Sequence, residues 1–75
     1  GVMQIRFNQT GMVLHAELTA GNTVVIRNAP MASFDMVSFH DVTIDGKPHR
    51  LRIFSAANEV PGNGQTLRAR VYRVG

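Results

Sequence analysis

The chain has no cysteine, and among its 75 residues are one lysine and five carboxylates. Without cysteine, neither a disulfide nor the Cys/His spacing of a structural zinc site can brace it. Helical periodicity is nearly absent. No apolar run approaches the roughly 20 residues of a membrane span. The N-terminus lacks the basic start and apolar block of a signal peptide, so no membrane partner is expected. Gly1 is expected to be a remnant of tag removal, which would make Met3 the native start. Seventy-five residues make a single domain, 1–75. A domain of this size buries only about 60% of its unfolded surface. Its remaining routes to stability are tight β-packing and association with other subunits.

What is present is alternation. In "VMQIRFN", Met3, Ile5 and Phe7 share one face, with Gln4, Arg6 and Asn8 on the other. "MVLHAELT" repeats this with Met12, Leu14, Ala16 and Leu18 opposite Val13, His15, Glu17 and Thr19. Between the two, "QTG" makes a short hairpin loop with Gly11 at positive φ, and "AGN" (20–22) does the same before "TVVIRN". Pro30 stops the third strand. Residues 30–36 then break the alternation as a helical turn or irregular crossover, anchored by Phe34, with Met31 and Met36 filling gaps at the core edge.

Asp45-Gly46 is the strongest hairpin signal, since both central residues of a type I′ turn need φ > 0. With a loop of two or four residues, His40, Val42 and Ile44 share a face with His49, Leu51 and Ile53. Phe39, Asp41 and Thr43 then lie with Arg50, Arg52 and Phe54. Pro48 cannot donate to a ladder, which predicts a sheet edge there. Residues 56–65 form a long exposed loop, a common place for partner contacts. "TLRARVYRV" closes the chain with Leu67, Ala69 and Val71 inward and Arg68, Arg70 and Tyr72 outward. The expected fold is all-β: a small six-stranded barrel or sandwich of antiparallel hairpins. Its inward set is Met3, Ile5, Phe7, Leu14, Leu18, Val24, Ile26, Phe34, Val42, Ile44, Leu51, Ile53, Leu67 and Val71.

Catalytic chemistry finds little to work with. The register places His40 and His49 as diagonal neighbours, but a usable metal site wants three or four ligands. The nearest third is His15, on another strand. His40 is expected to be half-buried with a satisfied hydrogen bond, and His49 solvated. Asp41 faces Arg50 and Arg52, an arrangement that lowers a carboxylate's pKa rather than raising it toward neutrality. Ser33, Ser38 and Ser55 have no histidine-plus-carboxylate pattern to activate them. No glycine-rich phosphate loop opens a helix. Neither an enzyme nor a cofactor is expected.

A surface constellation stands out instead. Arg50, Arg52 and Phe54 share a face, as do Arg68, Arg70 and Tyr72. On neighbouring strands the two triplets form an arginine-and-aromatic patch, suited to phosphates and stacked bases. With Glu59 and Val60 of the 56–65 loop, these residues make up the candidate interaction surface. The net charge of +3 is mild for a dedicated nucleic-acid binder.

A short crossover leading to "HDVTIDGKPHRLRIFSAANEVPGNGQTLRARVYRV" (40–74) resembles the small β-barrel head–tail joining and tail-completion proteins of tailed bacteriophages, a resemblance that covers roughly residues 24 to 74. The motif is an aspartate before a strand, an "IDG" turn, a returning strand, a polar Gly-containing loop and a final strand. Such proteins often have glycine where this chain has His40, and an aromatic where it has His49. The resemblance implies a non-catalytic, ring-forming virion or prophage protein, located in the virion or in the bacterial host's cytoplasm, whose loops and termini contact neighbouring subunits. The first expectation is therefore a structural module that self-associates or docks onto protein partners through the 56–65 loop and a strand edge. The alternative is a nucleic-acid-binding barrel.

Overall fold

The computed structural model describes residues 1–31, 34–59, 62 and 64–75. Six strands form: β1 (Val2–Phe7), β2 (Val13–Ala20), β3 (Thr23–Pro30), β4 (Ser38–Ile44), β5 (Lys47–Asn58) and β6 (Gly64–Arg73). They close into a barrel in the order β1-β2-β3-β6-β5-β4, with every neighbouring pair antiparallel. Between the two alternatives, barrel and sandwich, the chain takes the barrel. Two meanders, β1–β3 and β4–β6, are joined by the 31–37 crossover. Its described residues are irregular and contain no helix.

Turn chemistry sets the registers. Asp45 and Gly46 both adopt positive φ (53° and 73°), giving a two-residue loop with Ile44 opposite Lys47. Asp41 then faces Arg50, and His40 faces Leu51. Gly11 and Gly21 also take positive φ at their hairpins. An L-residue with a Cβ would strain at these turns.

The inward faces meet in one aliphatic core. Ile5, Val24, Ile26, Val42, Leu51, Ile53 and Leu67 are fully buried, with Phe7 and Ile44 nearly so. Ala16, Ala29 and Ala69 fill the remaining core positions. Met3, Leu14, Phe34 and Val71 are half-buried and pack against this core. Leu18 is 40% exposed, contrary to its parity. The β1 ladder ends at Val2–Glu17, so Leu18's neighbour on that side is Gly1, which has no side chain to cover it. Met31 and Met36 fill no core gap; both are exposed.

Two further expectations are corrected. Pro48 does not mark a sheet edge, because β5 lies between β4 and β6 in a closed barrel. Pro48 pairs with Thr43, and its carbonyl accepts a hydrogen bond from Val74 N–H at 3.1 Å. The donor it lacks would point to that same side, just past the last β5–β6 pair, His49–Arg73, where the ladder ends. Nor is 56–65 a ten-residue loop. Ala56, Ala57 and Asn58 pair with Leu67, Thr66 and Gln65, leaving a short tip on a long hairpin.

That hairpin survives because β5 carries a bulge. The register shifts between Ile53 and Ser55, so inward parity moves from odd residues (Leu51, Ile53) to even ones (Ala56). A second bulge in β3, between Ile26 and Ala29, does the same around Asn28, which sits at φ 60°. Asparagine tolerates this left-handed conformation better than most residues. Gly64 lies against it: a Cβ there would come within 3.0 Å of the Asn28 Cα.

Leu51→Ala is expected to cost about 2–5 kcal/mol, since the site is sealed by both neighbouring strands and cannot collapse freely. Chemical denaturation should show this as a lower midpoint with an unchanged slope.

Candidate interaction surface

The outward residues of β4, β5 and β6 lie side by side. Across β5–β6, Arg50 pairs with Tyr72 and Arg52 with Arg70, while Ser55, just past the bulge, pairs with Arg68. Across β4–β5, Phe39 is opposite Arg52 and Asp41 opposite Arg50. On the far side of β6, Thr23 and Val25 of β3 flank Arg70 and Arg68. The two triplets predicted from sequence are thus one continuous face: Arg50, Arg52, Phe54, Arg68, Arg70 and Tyr72.

Aromatic rings interleave with the cations. The Arg52 guanidinium carbon lies 6.0 Å from the Phe39 ring centroid, and that of Arg70 lies 5.1 Å from Phe54. Both separations permit cation–π attraction. Arg50 reaches Asp41 at 3.7 Å, but both side chains are mostly exposed, so the pair is weak. Among the described residues, Arg52, Arg68 and Arg70 have no carboxylate at salt-bridge distance.

Phe39 belongs to this face as well, though it is not among the candidate residues named from the sequence. It is 62% exposed. Its signal was available: Phe39 has the same parity as Asp41, directly across from Arg52.

Glu59 braces the fold. Its carboxylate accepts hydrogen bonds from Asn28 N–H (2.7 Å) and Thr66 Oγ1 (3.0 Å), tying the β5 end to the β3 bulge. It is half-buried. Buried Gln65 completes the brace, donating to the carbonyl of Pro30 at 2.8 Å. Val60 lies outside the described residues. Glu59→Ala would strip an acceptor from Asn28 N–H and a partner from Thr66, at a cost of about 1–3 kcal/mol. Glu59→Gln, which keeps a carbonyl oxygen there, should lose less; thermal unfolding of the two variants makes the comparison.

A cleft of about 670 Å³ opens at one barrel end, beside the crossover. Phe7, Met12 and Phe34 give it apolar walls, Asn8 and His40 polar ones, and Phe39 stands between the cleft and the arginine face. Phe7, Phe34 and His40 form a ring cluster with centroid separations of 5.0 to 5.5 Å. His40 is half-buried, with Nε2 2.8 Å from Ser38 Oγ. His49 is half-buried rather than solvated, donating from Nδ1 to the Lys47 carbonyl at 2.9 Å. His15, on β2, takes a hydrogen bond from Gln4. Among the described residues, no three His, Cys, Asp or Glu gather closely enough to hold a metal ion.

Burial pulls the His40 imidazole below its ordinary value of 6.5, and the charge of Asp35 offsets part of that. The folded state therefore binds its proton less readily than the unfolded chain. Stability from this group is complete above the unfolded value of 6.5 and falls as the pH drops toward the lowered folded value. Melting temperatures taken between about pH 7 and pH 5 should fall more for the wild type than for His40→Gln.

Comparison with known proteins returns no matching family model, curated protein or solved structure, and so neither supports nor opposes the likeness to the phage joining proteins.

Proposed function

We propose that this protein is a non-catalytic binding module, of the kind virion-assembly proteins use, that docks onto an anionic partner through the outer face of β4, β5 and β6. The observation that carries the proposal is the direct pairing of Arg52 with Arg70 across β5 and β6. Like charges facing each other in a sheet are destabilising. Nothing in the barrel's packing asks for two arginines there, because both point away from the core. Arg68 and Arg50 extend the same charge along each strand. A face that opposes folding in this way is explained by a ligand that neutralises it.

The chain does not supply that ligand itself. Glu17 is paired with Arg27, Asp41 with Arg50, and Glu59 is half-buried and bonded to Asn28 and Thr66. Asp35 and Asp45 sit apart, in the crossover and the β4–β5 turn. A second copy therefore offers no acidic face to meet the arginines, which favours a different molecule.

Retention on an immobilised polyanion tests the proposal. Arg68→Glu with Arg70→Glu should elute at much lower salt than the wild type. Arg6→Glu with Arg27→Glu, an equal change in net charge away from this face, should elute later than that pair. Arg52→Glu turns the repulsive pair into an attractive one worth about 0.2–1 kcal/mol. It is expected to melt no lower than the wild type while losing retention. Equal loss from both double variants would reduce the effect to net charge and end the proposal.

A further inference from the structure

We infer that the anionic partner is single-stranded nucleic acid, its phosphates lying along Arg68, Arg70 and Arg52 and a base stacking on Phe39 at the rim of the barrel-end cleft. The inference rests on the binding face proposed above and goes further by naming the ligand.

Three observations select this ligand among anions. First, the cations are arginines set in a two-dimensional lattice. Alternate residues on one strand stand about 6.8 Å apart and neighbouring strands about 4.8 Å apart. Planar guanidiniums at such intervals suit bidentate contact with successive phosphates. Second, the row ends on an aromatic ring that is 62% exposed. An exposed Phe facing an arginine gives an acidic polypeptide little to hold, but gives an unpaired base a stacking platform. Third, Phe39 is also a wall of the 670 Å³ cleft. A base stacked on that ring can direct its edge toward the Asn8 amide and His40, over a floor made by Phe7 and Phe34. A duplex keeps its bases stacked inside. Among the described residues the barrel offers no helix to enter a groove, so the single strand is the form that uses both halves of the site.

Fluorescence anisotropy with labelled oligonucleotides of about 15 nucleotides, within the range a small barrel covers, is the test. Four probes are compared on the intact protein: a single-stranded oligonucleotide, the matching duplex, an abasic strand of equal length, and polyglutamate. The single strand should bind most tightly. The logarithm of its affinity should fall against the logarithm of salt with a slope of about −2, as expected for three neutralised phosphates on a single strand. Phe39→Ala should weaken the single strand about tenfold and leave the abasic strand unchanged, which is within the effect of losing one stacked base. If the abasic strand or polyglutamate binds as tightly as the single strand, or Phe39→Ala weakens every probe alike, the nucleic-acid inference is overturned while the anionic docking face stands. If none of the four binds at low salt, both fail.

Discussion

Closure of the sheet is the constraint on which the rest of this molecule depends. A chain this short has too little interior to leave a sheet face wet on one side and packed on the other without a second layer. Rolling the six strands into a barrel lets each strand use its neighbours' inner residues as its own cover. The closing seam is slight: β1 meets β4 through Arg6–Thr43 and Phe7–Val42, with Asn8 N–H adding a bond to the Asp41 carbonyl. Thr43 Oγ1 donates to the Asn8 side chain at 2.7 Å just outside that seam. The ring cluster of Phe7, Phe34 and His40 covers the same end. Closure there depends as much on side chains as on the ladder.

The bulges decide what the outside looks like. Without the β5 bulge at Phe54, strict alternation would turn Ala56 outward, and the strand would lose its inner face beyond Ile53. With it, Phe54 stays outside beneath Arg70 while Ala56 pairs with Leu67 and the ladder runs on to Asn58. The β3 bulge has the same effect on the opposite side of β6. It lets Ala29 follow Ile26 into the core, and Glu59 satisfies the backbone N–H of Asn28 at that point. β6 is therefore flanked by two irregular strands. Its own alternation stays strict from Gln65 to Tyr72, and this keeps Arg68, Arg70 and Tyr72 on one outer line.

Period-two alternation and turn chemistry were legible in the sequence, and they were sufficient for the strands, the Asp45-Gly46 register and most of the core. Bulges were not, because a single inserted residue reads as the end of a strand. "SAAN" therefore looked like loop, and nothing in the sequence signalled that Glu59 braces the β3 bulge. Pro48 misled for a related reason: a missing donor marks a ladder end as well as a sheet edge, and only closure separates the two. The arginines were legible because Arg50, Arg52, Arg68 and Arg70 all lie outside the two bulges. Phe39 was the missing member of the face, although the Asp45-Gly46 register already sets it across from Arg52. Leu18 shows the limit of parity, which gives the side a residue faces but not whether anything lies there to cover it.

The interior and the outer face of this barrel obey opposite rules. Inside, among the described residues, Gln65 is the one buried polar side chain, and it is hydrogen-bonded. Outside, Arg52 and Arg70 stand in direct opposition, a conflict that a few neutral substitutions would remove without touching the core. Phe39 and Phe54 relieve part of it, because a ring face beside a guanidinium attracts where a second cation repels. The relief comes at a cost of its own, since it leaves Phe39 in water. Two unfavourable features that offset each other only in part, on outward-facing residues, are what the proposed binding role would account for. A salt-dependent ligand would discharge the arginines, and a stacking one would cover the ring. Electrostatics and hydrophobicity therefore point to the same patch, which neither the charge of the chain nor its alternation would have singled out alone.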